Sequence, residues 1–142
     1  MTQIFTTEEI TTLSAQIDNQ LWELRTESES GILKGEENPD ALPAKQSQVI
    51  AQITKEDPKS FLRRFGRAAK SDLCEEGGVL NTQWKKWADL NNKDVVDKFG
   101  LLLVAMGFSG GMLQILVVAV AVVVIHIGVK AFCEDYSQWR WN

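Results

Sequence analysis

Apolar residues recur at helical spacing in the N-terminal part of this chain, then merge into one unbroken run near its end. Ile10, Leu13, Ile17, Leu21 and Leu24 lie three or four apart and form one stripe along a helix. Thr6 or Thr7 caps its start. Glu8 and Glu9 fall in its first turn, where the helix dipole favours negative charge. Residues 1–26 therefore read as an N-terminal amphipathic helix, ending near Thr26. Residues 27–44 are acidic and hold Gly31, Gly35, Pro39 and Pro43, which marks a linker.

Residues 45–93 read as a helical soluble region. A short helix is expected from Gln46 to Lys55 around Val49, Ile50 and Ile53. Asp57-Pro58 starts a clearer one, a cap residue followed by proline at the first helical position. Phe61, Leu62, Phe65, Ala68, Ala69 and Leu73 share one side of it; Lys59, Arg63, Arg64, Arg67 and Lys70 share the other. Glu75-Glu76-Gly77-Gly78 ends it. A further helix is expected over Thr82 to Leu90, with Trp84-Lys85-Lys86-Trp87 inside it.

The run itself is Phe99 to Val129, 31 uncharged residues between Lys98 and Lys130. Its densest part, Met112 to Val129, holds twelve Leu, Ile or Val residues. At about −0.3 to −0.6 kcal/mol each near a bilayer centre, they contribute about −4 to −7 kcal/mol toward insertion. Gln114 and His126 subtract from this, but each sits near one end of the segment. The competing reading is a helix buried in a soluble core, in its strongest form the temporary soluble state of an inserting protein.

A helix of that length reaches about 46 Å. One crossing of the hydrocarbon core needs about 30 Å, so one span fits with material to spare and two do not. Ser109-Gly110-Gly111 marks the junction, where glycine lets the helix kink or turn. Residues 94–110 are therefore expected as an interfacial or partly inserted helix. Residues 111–132 are expected as the transmembrane helix and 133–142 as an aromatic tail. Lys130, Tyr136, Trp139 and Trp141 suit the headgroup level and read as interfacial anchors. The fold class is thus all-α: a small helical N-terminal cytosolic domain, an interfacial apolar helix and one C-terminal transmembrane helix.

Basic residues near the span set its orientation. Lys85, Lys86, Lys93 and Lys98 precede it, against Lys130 and Arg140 after it. This favours a cytoplasmic N-terminal part and a short tail on the opposite side. The first residues have neither a basic nor an apolar leader segment, so they do not read as a secretory signal. Cys74 and Cys133 fall on opposite sides of the span boundary and are not expected to pair.

Net charge is −4, unevenly spread. Residues 1–54 carry nine acids and three bases, whereas residues 55–98 carry ten bases and eight acids. Arg63, Arg64, Arg67 and Lys70, with Trp84, Lys85, Lys86 and Trp87, are candidates for contact with lipid headgroups or a partner. Nucleic acid is not the expected partner, because no recognition motif accompanies these residues. No phosphate-binding loop is present, and two cysteines with one histidine cannot complete a zinc site. His126 lies within the run, so a nucleophilic triad would need its partners inside a bilayer. No enzyme activity and no cofactor or metal are expected.

What remains is assembly. Gly107 and Gly111 make a G-x-x-x-G spacing. With Ser109 and Gly110 they are candidates for close helix–helix approach. Gln114 and His126 are the polar residues in the span, and such groups usually face protein or water. The expected function is a non-enzymatic membrane protein, homo-oligomeric through its C-terminal apolar segment. It forms a pore or permeabilising lesion in the lipid bilayer under control of the helical N-terminal part. The alternative is a single-pass anchored adaptor that holds a cytosolic partner, such as a regulatory protein, at the membrane.

Overall fold

The computed structural model describes residues 4–30, 42–87 and 91–137; of 27–30, 87 and 137 only the backbone is described. Every regular element among them is helical: α1 (Thr7–Ser30), α2 (Ala44–Thr54), α3 (Pro58–Ala69), α4 (Val79–Trp87), α5 (Asn92–Ala105), α6 (Gly110–Ile127) and α7 (Val129–Phe132). A π-helical turn, Lys70–Cys74, continues α3, and a second, Cys133–Ser137, continues α7.

Local chemistry explains where these helices begin. The Thr6 N–H donates to Glu9 Oε1 (2.9 Å) and the Glu9 N–H to Thr6 Oγ1 (3.0 Å). This reciprocal pair satisfies two of the free donors at the start of α1. Asp57 accepts from the Ser60 N–H (3.2 Å) ahead of Pro58. Asn91 accepts from the Lys93 and Asp94 N–H groups and caps α5. Helix α1 runs to Ser30, beyond the expected end near Thr26. Residues 31–41 of the expected linker lie outside the described residues.

Helix α6 is the centre of the molecule. It packs against α1, α2 and α5. From Leu116 to Val124, nine consecutive residues are buried. A helix that is apolar all round has no polar face to offer water, and here the amphipathic helices cover it on every side of that stretch. Ile10, Leu13 and Ile17 from α1 and Ile50 from α2 belong to the same core. The uncharged run is therefore not set apart from the N-terminal helices in this fold.

Two expectations about the C-terminal segment are corrected. The helix expected over 111–132 stops at Ile127, because Gly128 takes φ 104°, a conformation open to glycine but costly for other residues. The chain turns there, and α7 with its π-helical turn packs back against α3. Phe132 is fully buried, 6.5 Å from Phe65 and 5.2 Å from Tyr136 between ring centroids. This reversal overturns the second expectation: Cys133 reaches Cys74 and the two form a disulfide.

Candidate membrane-active segment and its covalent clamp

Between Gly110 and Ile127 the chain carries no charge over 18 residues, and α6 is the described helix long and apolar enough to cross a membrane. Its polar link to the surrounding helices is at its start, where Gln114 Nε2 donates to Glu9 Oε2 (3.2 Å). Glu9 thus caps α1 and holds α6 with its two carboxylate oxygens. His126, at the other end of α6, is exposed.

The cover over α6 is imperfect along the α1–α2 seam. A cavity of about 90 Å³ lies there, lined by Gln16, Gln20, Lys45, Gln46, Val49 and Ile115 among others. Gln46 is buried and donates to Gln20 Oε1 (2.6 Å), but its own Oε1 has no protein partner. The hydroxyls of Ser14 on α1 and Ser47 on α2 are buried without one as well. Such groups make a seam weaker than apolar side chains of the same shape would.

Apolar surface is exposed where α5 turns into α6. Leu101 and Val104 on α5 are each 42% exposed, and Met112 and Ile115 on α6 are each 55% exposed. Gly107, Ser109, Gly110 and Gly111 sit at this turn and are exposed. A Cβ added at Gly107, Gly110 or Gly111 would meet nothing within 4 Å. These residues therefore mediate no close helix contact within one chain, and their surfaces are open.

The clamp is built at the other end of α3. In the first π-helical turn, Asp72 Oδ1 accepts from the Val79 N–H (2.9 Å) and caps α4. The carbonyl of Leu73 accepts from Asn81 Nδ2 (3.2 Å) and from Trp84 Nε1 (2.8 Å). Gly78 lies so close to the Ser71 and Asp72 carbonyls that a side chain there would collide with backbone. These contacts fix Cys74. Phe132 and Tyr136, seated in the core, fix Cys133. The two Cα atoms are 5.7 Å apart across 59 residues of sequence. The covalent loop thus encloses α4, α5, α6 and α7.

The other residues singled out in the sequence fall into separate places. Arg63 and Arg67 project from the exposed side of α3. Arg64 pairs with Glu56 and lies over the Phe61 ring at 5.6 Å. Lys70 pairs with Glu75 at 3.8 Å. Trp84 is half-buried, with Lys85 Nζ 5.6 Å from its ring centroid, and Lys86 is exposed. Lys130 is exposed, whereas Tyr136 is buried. Trp139 and Trp141 lie outside the described residues, as does the side chain of Trp87. The disulfide is the structural feature that the sequence reading does not anticipate. An even cysteine count was its signal, set aside because a span was placed between the two thiols.

No protein-family model matches this chain, and neither a characterised protein nor a solved structure does.

Proposed function

We propose that this protein is a non-enzymatic, membrane-permeabilising effector that stores its inserting helix inside a sheath of amphipathic helices. The observation that carries this reading is the burial of Leu116–Val124 within a run that has no charge from Phe99 to Val129. Seven of those nine residues are Leu or Val. At about 1.5 kcal/mol or more each, moving them into water costs about 10 kcal/mol. Helix α6 therefore leaves its sheath only for another apolar solvent, and a bilayer is one. The cavity beside Gln46 leaves the sheath less closely packed along the α1–α2 seam. The exposed Leu101, Val104, Met112 and Ile115 give the same uncharged segment a first contact with lipid.

In the inserted form the N-terminal helices stay on the cytoplasmic face and the short tail crosses, as the excess of lysine ahead of the run favours. The basic side of α3, with Arg63 and Arg67 exposed, supports contact with anionic headgroups. One span per chain cannot enclose a pore, so several copies assemble. The open surface around Gly111 suits close approach between copies.

Dye release from anionic vesicles tests this. Gly107 and Gly110 have φ of 108° and 67°, so leucine there would strain the backbone itself. Gly111 has open space and no positive φ, which makes Gly111→Leu the cleaner variant. Wild-type protein is expected to release dye and to cross-link as oligomers. Gly111→Leu is expected to keep its fold and lose both. No release by the wild type under oxidising or reducing conditions refutes the reading. Vesicle binding without release favours the anchored adaptor instead.

A further inference from the structure

We infer that the Cys74–Cys133 disulfide is a redox lock on membrane insertion, opened by a dithiol reductant. The inference rests on the inserting role proposed above for α6. Its basis is topological. The two cysteines flank the whole uncharged run, and their Cα atoms are 5.7 Å apart.

A crossing of the hydrocarbon core separates the two ends of a span by about 30 Å. A helical hairpin would keep both cysteines on one face, but it needs about 40 apolar residues plus a turn. The run has 31, and charged Lys98 and Lys130 bound it. Each leg of such a hairpin would reach about 23 Å and stop short of the far side. Full crossing by α6 therefore places Cys74 and Cys133 on opposite faces. An intact bond between them forbids that state. The bond also ties α7 to the π-helical turn after α3, which holds the C-terminal end of α6 in its sheath.

The opening step balances with a dithiol. A thiolate of the reductant attacks one sulfur of the pair and forms a mixed disulfide, and the other sulfur leaves as a thiolate. The second thiol of the reductant then displaces the first cysteine. Two electrons and two protons end on Cys74 and Cys133, which become thiols, and the reductant departs as its own disulfide. Both cysteines are half-buried rather than enclosed. The locked form belongs to an oxidising compartment, where such bonds persist, and insertion follows transfer to a reducing one.

The test uses full-length protein with vesicles of phosphatidylcholine and phosphatidylglycerol. Carbonate-resistant flotation reads insertion, and dye release is followed in parallel. Wild type is assayed oxidised and after dithiothreitol, beside an oxidised Cys74→Ser/Cys133→Ser variant. Reduction is expected to raise the inserted fraction by at least about tenfold, and the double variant to insert without reductant. Reduction of the wild type gives the same comparison should the variant fail to fold. Equal insertion before and after reduction overturns the lock, and dye release then judges the permeabilising role separately. Redox-dependent insertion without release upholds the lock and overturns permeabilisation. No insertion by any form overturns both.

Discussion

Ile115→Asp separates the two environments that α6 is proposed to occupy. In the sheathed fold Ile115 is 55% exposed, near the start of α6. A charge there can stay in water, and losing the covered part of the isoleucine beside the seam should cost the folded state only about 1 kcal/mol. Insertion is proposed to draw Gly128 into the helix so that it runs over 111–132, long enough for the hydrocarbon core, which puts the same position about 10 Å from the bilayer midplane. An aspartate at the centre of a span costs about 3 kcal/mol, and Asp is too short to lift its carboxylate to the surface. With the lost contribution of isoleucine, about 2 kcal/mol is expected at this depth, or about thirtyfold in partitioning. A buried position such as Val120 would not discriminate, because a charge there disrupts both states. The assay is vesicle flotation of the reduced protein, with thermal unfolding by circular dichroism in parallel. A melting temperature lowered by only a few degrees, with about thirtyfold weaker insertion, is expected. An intact fold with unchanged insertion would refute the placement of this part of α6 in lipid.

Further outcomes follow from the packing. Reducing the disulfide opens a covalent loop across 59 residues. On the chain-entropy account this lowers the unfolding free energy by about 4 kcal/mol, measurable by urea titration of oxidised and reduced protein. Phe65 is fully buried and touches the rings of Phe61, Phe99 and Phe132. Phe65→Ala should cost about 3–5 kcal/mol in the same titration, because it empties the point where α3, α5 and α7 meet. Asp72→Ala removes the acceptor for the Val79 N–H and should cost about 1 kcal/mol, read as a lower urea midpoint.

The sheath was largely legible from its periodicity. Ile10, Leu13 and Ile17 on α1, and Phe61, Leu62, Phe65, Ala69 and Leu73 along α3, are buried as their spacing required. Asp57-Pro58 marked the start of α3 because a side-chain cap and a residue lacking an N–H suit only that place. Ala68 is exposed although it was placed on the apolar side, since a small residue at the edge of a stripe binds neither face strongly. The environment of α6 was not legible. A helix without a polar face satisfies a protein core and a bilayer equally well, so its pattern cannot say which encloses it. What decides here is long-range: Gly128 turns the chain, Phe132 enters the core beside Phe65, and Cys133 meets Cys74. None of these contacts leaves a periodic trace. The glycines at the α5–α6 turn were legible as a break, but their open surfaces appear only in three dimensions.

Hydrogen exchange with and without vesicles tests the central claim most directly, that α6 exchanges one apolar enclosure for another. For the reduced protein in buffer, amides in both Leu116–Val124 and α2 are expected to be protected. On adding anionic vesicles, Leu116–Val124 should remain protected, because a bilayer shields its backbone as the sheath did. Helix α2, parted from the segment it covered, should exchange much faster. Unchanged protection of α2 in protein bound to vesicles would contradict the account, since α6 would still lie in its sheath.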